Sequence, residues 1–256
     1  MKNNKADISL IITFHAEGIL AQMTLNSIER CRLFAENHGI TCEYIWVMDN
    51  IDNETKRVLD NYPIDKSLVK KVEVSHGDAG DSRNSGIKLA SSDVIAIFDG
   101  DDYFSENWIE RALHFLNIYG SKTILHPEFM VSFGKDLIYS RQIDQSEDFF
   151  QINGLLTHNF WTSAWSVAKK EVYLEIPYVA TNVKNTGFGY EDWHWNCETI
   201  AAGFVHKLVP ETIGFYRRRE GSRLAQEVGH GGIMAPSRIF EKTSLNKFKG
   251  EDNVNK

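Results

Sequence analysis

The sequence predicts an α/β protein built on a mostly parallel sheet, and three observations carry that expectation. Over residues 8–102, apolar runs of strand length alternate with stretches of helical period in a β-α-β-α-β-α-β order. That order implies parallel strands joined by right-handed crossovers. Val94-Ile95-Ala96-Ile97-Phe98 is an unbroken apolar run, the pattern of a strand buried on both faces. It stops in Asp99-Gly100-Asp101-Asp102, at the kind of strand end where open α/β sheets bind ligands.

Taken in order, Ile8 to Phe14 reads as the first strand and His15-Ala16-Glu17-Gly18 as the loop after it. Leu20, Thr24, Ile28, Cys31 and Ala35 recur at helical spacing and predict a helix over 19–37. Glu43 to Met48 is the second strand, followed by a short helix from Glu54 to Asn61 capped by Asp52 or Asn53. Val69 to Ser75 is the third strand, and Asp81 or Ser82 is expected to cap the helix carrying Ile87, Leu89 and Ala90. After the fourth strand, Ser105 is expected to cap a helix with Trp108, Ala112, Phe115 and Tyr119 on one stripe.

Phe129 to Phe133 and Leu137 to Arg141 flank Gly134-Lys135-Asp136 as a hairpin. Asn182 to Tyr190 reads as a glycine-containing loop, and Glu191 to Ala202 as a helix closed by Gly203. Phe204 to Leu208 and Thr212 to Tyr216 read as two further strands. The pattern fades beyond about residue 223, and 250–256 is expected to be disordered.

With 256 residues, 42% hydrophobic and 25% charged, the chain suits one large domain or two small halves sharing a sheet. A net charge of −7 argues against nucleic acid as a partner, so an anionic substrate needs local cations or a metal. Cys31, Cys42 and Cys197 are odd in number and lack CxxC spacing, which fits a reduced compartment. The apolar run after Lys2 and Lys5 is too short for a signal peptide and reads as a strand. No GxGxxG, GxxxxGK[ST] or GxSxG occurs, which removes the best support for dinucleotide, P-loop and hydrolase readings.

Three carboxylates around Gly100 repel one another unless something compensates them, because a buried carboxylate is costly without a partner or a cation. A divalent cation carrying a phosphate resolves that repulsion, and hard oxygen ligands suit Mg2+ or Mn2+. An ordinary acidic turn is the plainer reading. A calcium loop would use Asp99, Asp101 and Glu110, but Tyr103 and Phe104 stand where that loop needs an oxygen donor and a glycine.

The order of the motifs is more specific than any one of them. Thr13-Phe14-His15, Met48-Asp49-Asn50, Gly80-Asp81-Ser82-Arg83-Asn84, Asp99-Gly100-Asp101-Asp102, Gly187-Phe188-Gly189-Tyr190-Glu191-Asp192 and Tyr216-Arg217 with Ser222 follow in series. This series resembles the family-2 glycosyltransferases of GT-A fold, over roughly residues 7–223. The resemblance implies a Rossmann-like, mostly parallel sheet flanked by helices, with a smaller acceptor-side half. One domain is then expected over 1–235, with a nucleotide-binding half over 7–104, an acceptor-binding half over 105–223 and a tail over 236–256.

The same resemblance implies roles. Thr13, His15, Glu17, Asp49, Arg83 and Asp99 would hold the nucleotide, and Asp101, with Asp102 as a second ligand, would hold the metal. Asp192 would be the catalytic base of an inverting transfer, with Glu191 and Trp193 on the acceptor. The donor would be a nucleotide-diphosphate sugar and the acceptor a glycan or lipid-linked glycan. The expected place is the cytoplasm, with peripheral association at the inner face of a membrane where the acceptor is lipid-linked. The sequence departs from the family at Phe14 and His15, at Asn50-Ile51-Asp52, and at Arg219, which stands where many relatives have histidine. Arg217 and Arg219 would then neutralise the departing diphosphate.

Plainer roles stand beside these. Glu191 and Asp192 also suit the first turn of a helix, and His15 and His76 suit hydrogen-bonded loop positions. Tryptophans 161, 165, 193 and 195 are more often core than sugar platform. Gly229, Gly231 and Gly232 give the stretch after Ser222 the freedom of a lid. A nucleotidyltransferase is an alternative that wants a glycine- and lysine-rich loop after the first strand, which His15-Ala16-Glu17-Gly18 is not. A non-catalytic nucleotide-sugar or glycan-binding module is another, against which the presence of both Asp101 and Asp192 speaks.

Overall fold

The computed structural model describes residues 5–241. The first half runs β1 (Ile8–Phe14), α1 (Ile19–Asn37), β2 (Cys42–Asp49), α2 (Asn53–Asn61), β3 (Val69–Val74), α3 (Ala79–Leu89) and β4 (Val94–Asp99). β5 (Tyr103–Phe104), α4 (Trp108–Tyr119), β6 (Thr123–Gly134) and β7 (Ile138–Arg141) follow. Then come β8 (Ser166–Lys169), α5 (Lys170–Glu175), α6 (Val183–Thr186), β9 (Phe188–Gly189) and α7 (Glu191–Ala201). β10 (Val205–Arg218), α8 (Arg223–Gly229) and β11 (Ile233–Met234) complete the order.

The sheet runs β3-β2-β1-β4-β8-β6-β10-β5, with β7 paired to β6. β1 lies parallel to both β2 and β4, and β2 parallel to β3. β8 reverses direction against β4, and β6 runs parallel to β10. This is the mostly parallel α/β architecture that the alternating pattern predicts.

β1 is apolar at nearly every position because both its faces are covered. Ile8, Leu10, Ile12 and Phe14 join α1 and α4 in one core layer. Ile11 turns to the opposite face, with Ile45, Val47, Ile87, Ile95, Ile97 and Trp195. α3 lies so close to the sheet that a Cβ on Gly86 would stand 2.6 Å from Ile11 Cγ2.

Several expected boundaries shift, each for a stated contact. Asp78 caps α3 by accepting from Asp81 N at 2.9 Å, while Ser82 donates to Asp49 instead. Ser105 does not cap α4, because its hydroxyl oxygen accepts from Ile213 N at 3.0 Å; Asn107 stands at the cap position. The two expected strands over 204–216 are one strand, β10, with its register against β6 broken between Val209 and Ile213. A bulge of this kind hides a continuous strand behind a local turn pattern. The expected loop over 182–190 contains α6 and β9. The tail expected from 236 begins inside the fold, since Ile239 is fully buried and Arg238 Nε meets Glu198 Oε2 at 2.6 Å. The expectation for 250–256 lies outside the described residues.

Candidate active site

The carboxyl ends of β1, β2 and β4 converge with the N-terminal ends of α3 and α7. Asp99 is the last residue of β4, opposite Thr13 in register. Gly100 follows because a Cβ there would stand 2.7 Å from Thr13 O and 2.8 Å from the Phe14 ring. Thr13 Oγ1 donates to Asp99 Oδ1 at 3.4 Å, and Ser163 Oγ donates to Asp99 Oδ2.

Arg83, buried on α3, joins the two halves of the site. Its Nη2 donates to Asp99 Oδ1 and its Nη1 to Glu191 Oε1, both at 2.7 Å. Its Nε is buried without a partner among the described residues. Burial alone would push the Asp99 carboxyl up, but Arg83 and the hydroxyls of Ser163 and Thr13 hold it below its ordinary value. Arg83 therefore acts first as the counter-charge of a buried carboxylate pair.

Glu191 is equally committed. Its Oε2 meets Arg223 Nε at 3.2 Å, and Arg223 Nη2 reaches Asp78 Oδ2 at 3.1 Å. A side chain that is 4% exposed and paired to two guanidinium groups is not presented to an acceptor, which corrects the acceptor-contact role expected for Glu191. Arg223 and Asp78 are ion-pair partners in this network that the sequence does not disclose, because nothing local marks a pairing between α8 and the cap of α3.

Asp49 is also occupied. Its Oδ1 accepts from His76 N (2.8 Å), Gly77 N (3.0 Å) and Asn50 Nδ2 (3.0 Å), and its Oδ2 from Asp78 N (3.2 Å) and Ser82 Oγ (2.8 Å). Five donors exceed the roughly four lone-pair sites of a carboxylate, so none remains for a nucleotide base. Asp49 instead holds the 76–78 loop against the start of α3, a correction to its expected direct contact. His15 is exposed beside it, with Nδ1 2.7 Å from Asp49 O, and remains open to a nucleotide.

The acidic turn after β4 separates its two remaining carboxylates. Asp102 is 1% exposed; its Oδ2 accepts from Trp165 Nε1 at 2.9 Å and its Oδ1 from Arg217 N at 2.8 Å. Burial, together with the Asp101 and Asp99 charges, pushes its carboxyl well above the ordinary value, against those two N–H donors. Asp102 is thus a buried brace, which corrects the expected second metal ligand.

Arg217 is part of the same brace. Its guanidinium lies 4.5 Å from the Phe133 ring centroid and 5.1 Å from that of Tyr103, and donates to Asp101 O and the Tyr103 hydroxyl. Nε and Nη2 brace the turn, and Nη1 has no partner among the described residues, so the diphosphate contact expected of Arg217 would fall to that nitrogen. Arg219 is partly exposed, with Nε donating to Asp101 Oδ2 at 2.8 Å. Glu17 completes the cluster 3.9 Å from Arg219 Nη2, and burial pushes its carboxyl up to about 7.

Among the described residues, no three His, Cys, Asp or Glu side chains converge as a metal-ligand cluster. Mg2+ in nucleotide sites is commonly held by one or two carboxylates, with substrate phosphate and water completing the shell. Asp101, partly exposed and at the open end of β4, fits that donor set; Asp102 does not.

Asp192 contrasts with its neighbour. Asn159 Nδ2 donates to its Oδ2 at 3.1 Å, and Asp192 makes no ion pair among the described residues. Burial and the adjacent Glu191 charge push its carboxyl up to about 7, with Arg83 pulling the other way. Trp193 donates to Leu155 O at 3.0 Å and packs edge-on to Tyr190, with one face in a core cluster.

Among the described residues, three of the four non-glycine residues with positive φ surround this site: Asn50 (48°), Ser163 (55°) and Tyr190 (56°). Such backbone costs on the order of 1–3 kcal/mol each and persists where surroundings enforce it. Ser163 thereby aims its hydroxyl at Asp99, and Tyr190 starts α7 with its N–H on Glu227 Oε1 at 2.8 Å. Neither Ser163 nor Asn159 carries a signal in the sequence that would single it out.

A model of glycosyl transferase family 2 matches residues 9–167. Among solved structures, the fold is similar to S. aureus TarS 1-349 in complex with UDP-GlcNAc, with a TM-score of 0.66 and 16% identity over 86% of this chain and 60% of that one. The same TarS segment in complex with UDP gives 0.63 and 16% over 83% and 60%. GalNAc-T7 with UDP, GalNAc and Mn2+ gives 0.58 and 17% over 86% of this chain and 45% of that one. At these identities the likeness is one of fold, and this chain spans about 60% of the length of the TarS chain it matches. No curated protein matches the chain.

Proposed function

The chain belongs to glycosyl transferase family 2, and we propose that it moves a sugar from a nucleotide-diphosphate sugar to a hydroxyl of a glycan or lipid-linked glycan, with inversion. The observation that carries this reading is Asp192. It is a partly exposed carboxylate without an ion pair, raised to about 7, beside a carboxylate of the same helix turn that is locked in two ion pairs. A general base works best with a pKa near the working pH, and Asp192 meets that condition.

In this mechanism Asp192 accepts the proton of the acceptor hydroxyl as that oxygen attacks the anomeric carbon. The bond from the anomeric carbon to the diphosphate oxygen breaks on the opposite face, and the bonding pair leaves with the nucleoside diphosphate. Asn159 holds one Asp192 oxygen through its amide, which fixes the carboxylate without neutralising it. Arg83 and Glu191 keep the starts of α3 and α7 at a set distance, so the base stays aligned with the donor side. Arg219 offers positive charge where the diphosphate leaves. A bound Mg2+ or Mn2+ would act there as a Lewis acid, with Asp101 as its protein ligand.

The neighbours support the choice of donor to test first: TarS was solved with UDP-GlcNAc and GalNAc-T7 with UDP and Mn2+. A panel of UDP-, GDP- and dTDP-sugars with Mn2+ should yield one donor that slowly releases nucleoside diphosphate without acceptor. Release by wild type and its loss in Asp101→Ala is the expected outcome. No release and no binding for any donor would remove the transferase reading.

A further inference from the structure

Arg219, just past β10, sets its guanidinium against two carboxylates from different loops. Its Nε donates to Asp101 Oδ2 at 2.8 Å, and its Nη2 lies 3.9 Å from Glu17 Oε1. Asp101 stands on the turn after β4 and Glu17 on the loop after β1. The two neighbouring arginines are not equivalent to it: Arg217 packs against two aromatic rings, and Arg218 faces Asp136 at 3.7 Å. Arg219 is about a third exposed (32%), which leaves its long side chain room to swing.

Arg219 takes only Oδ2 of Asp101, but its guanidinium repels a divalent cation brought to the same carboxylate, so the two compete for it. We infer that Arg219 is the resident counter-cation of Asp101, and that a divalent cation binds there only together with a nucleoside diphosphate that takes the guanidinium over. The diphosphate is the natural acceptor for the released side chain, since a planar guanidinium matches paired phosphate oxygens. Glu17, already facing Arg219, keeps the guanidinium near the site while Asp101 is vacated. The inference rests on the reading above that Asp101 borders the diphosphate.

The test is Mn2+ binding, followed by the electron-spin-resonance signal of free Mn2+, first without nucleotide. Arg219→Ala and Arg219→Gln should each bind one Mn2+ at least about tenfold tighter than wild type, because a site open one-tenth of the time loses about tenfold in apparent affinity. Arg218→Ala removes a charge of the same sign one position away and should leave Mn2+ affinity within about twofold, in line with the small effect of exposed charges. Adding UDP or GDP should then tighten Mn2+ binding far more in wild type than in the Arg219 variants.

Equal Mn2+ affinity in wild type and both Arg219 variants would overturn the inference. So would an equal gain in Arg218→Ala, which would trace the effect to overall charge. Metal-independent nucleotide binding that is lost in Arg219→Ala would also overturn it, by making Arg219 a permanent replacement for the cation. If no nucleoside diphosphate binds any variant, the donor reading falls, while the metal-only comparison still decides the role of Arg219.

Discussion

The carboxyl end of β4 and the first turn of α7 each carry adjacent acidic residues and are joined through Arg83, yet they are built differently. At β4, Asp99 is held by Arg83, Asp101 by Arg219, and Asp102 by two N–H donors. At α7, Glu191 is held by Arg83 and Arg223, and Asp192 by the amide of Asn159 and the backbone N–H of Trp193, with no guanidinium. Asp99, beside the buried guanidinium of Arg83, keeps its charge, whereas burial raises both Asp101 and Asp102, the latter held by neutral N–H donors alone. Asp102 is sealed in, while Asp192 has no guanidinium partner and is still partly exposed. The comparison assigns chemistry to the carboxylate that both lacks a counter-charge and can be reached, and it can be broken at several points.

The largest expected effect is on turnover. Asp192→Asn keeps the shape but cannot accept a proton, so transfer should fall by about 10²–10⁴ with nucleotide affinity within a few-fold. Measured transfer near the wild-type rate would move the base elsewhere. The same variant has a stability signature with a definite sign. Folding raises the Asp192 carboxyl from its ordinary 3.8 to about 7, so between those values the folded protein holds a proton that the unfolded chain has released. Stability contributed by that proton is complete below the lower value and lost above the higher one. Asp192→Asn should therefore melt higher than wild type at pH 8 and no higher at pH 4. For wild type, kcat/KM should climb through an apparent pKa near 7 and level off above it, and a flat profile from pH 5 to 8 would contradict the assignment.

Next comes the counter-charge that the two regions share. Arg83→Met leaves Asp99 and Glu191 buried without their common guanidinium, which should cost roughly 3–5 kcal/mol of stability by denaturant unfolding. A loss below about 1 kcal/mol would mean that Arg83 is placed for ligand and not for structure.

A smaller effect is expected behind the acidic turn. Asp102→Asn must turn its amide NH2 toward either Trp165 Nε1 or Arg217 N, losing one buried hydrogen bond at about 1–3 kcal/mol. Mn2+ affinity measured with nucleotide present should stay within a few-fold of wild type. A loss of tenfold or more would restore Asp102 as a metal ligand.

Smallest is Trp193→Phe, which removes the hydrogen bond to Leu155 O and should cost about 0.5–1.5 kcal/mol. If KM for the acceptor rises severalfold while the melting temperature barely changes, Trp193 faces the acceptor as the sequence suggested. If stability alone changes, it belongs to the core.

The fold was legible wherever local pattern and burial agree. The unbroken apolar run of β4, the helical spacing of α1 and the alternation of elements over 8–102 each report geometry within a few residues. β10 was read as two strands because its irregularity near Val209 mimics a turn, and the ladder to β6 that keeps it continuous is a long-range contact. The start of α3 is hidden in the sequence for a similar reason: Asp78 caps it, and Ser82 donates to the distant Asp49 instead.

By itself the sequence determined the parallel α/β sheet, the strand ends where acidic residues gather, and the list of residues that meet there. Only the tertiary structure decided which of those residues are free. Arg83 and Glu191 are 108 positions apart, Arg217 and Asp102 115, and Arg219 and Asp101 118. Charge pairing of that kind leaves no periodicity in the chain, because hydrophobic pattern encodes which face of an element is buried and not which distant side chain it meets. The protonation state of a carboxylate depends on burial and on the nearest charges, and both exist only once the sheet has brought the ends of β4, α3 and α7 together.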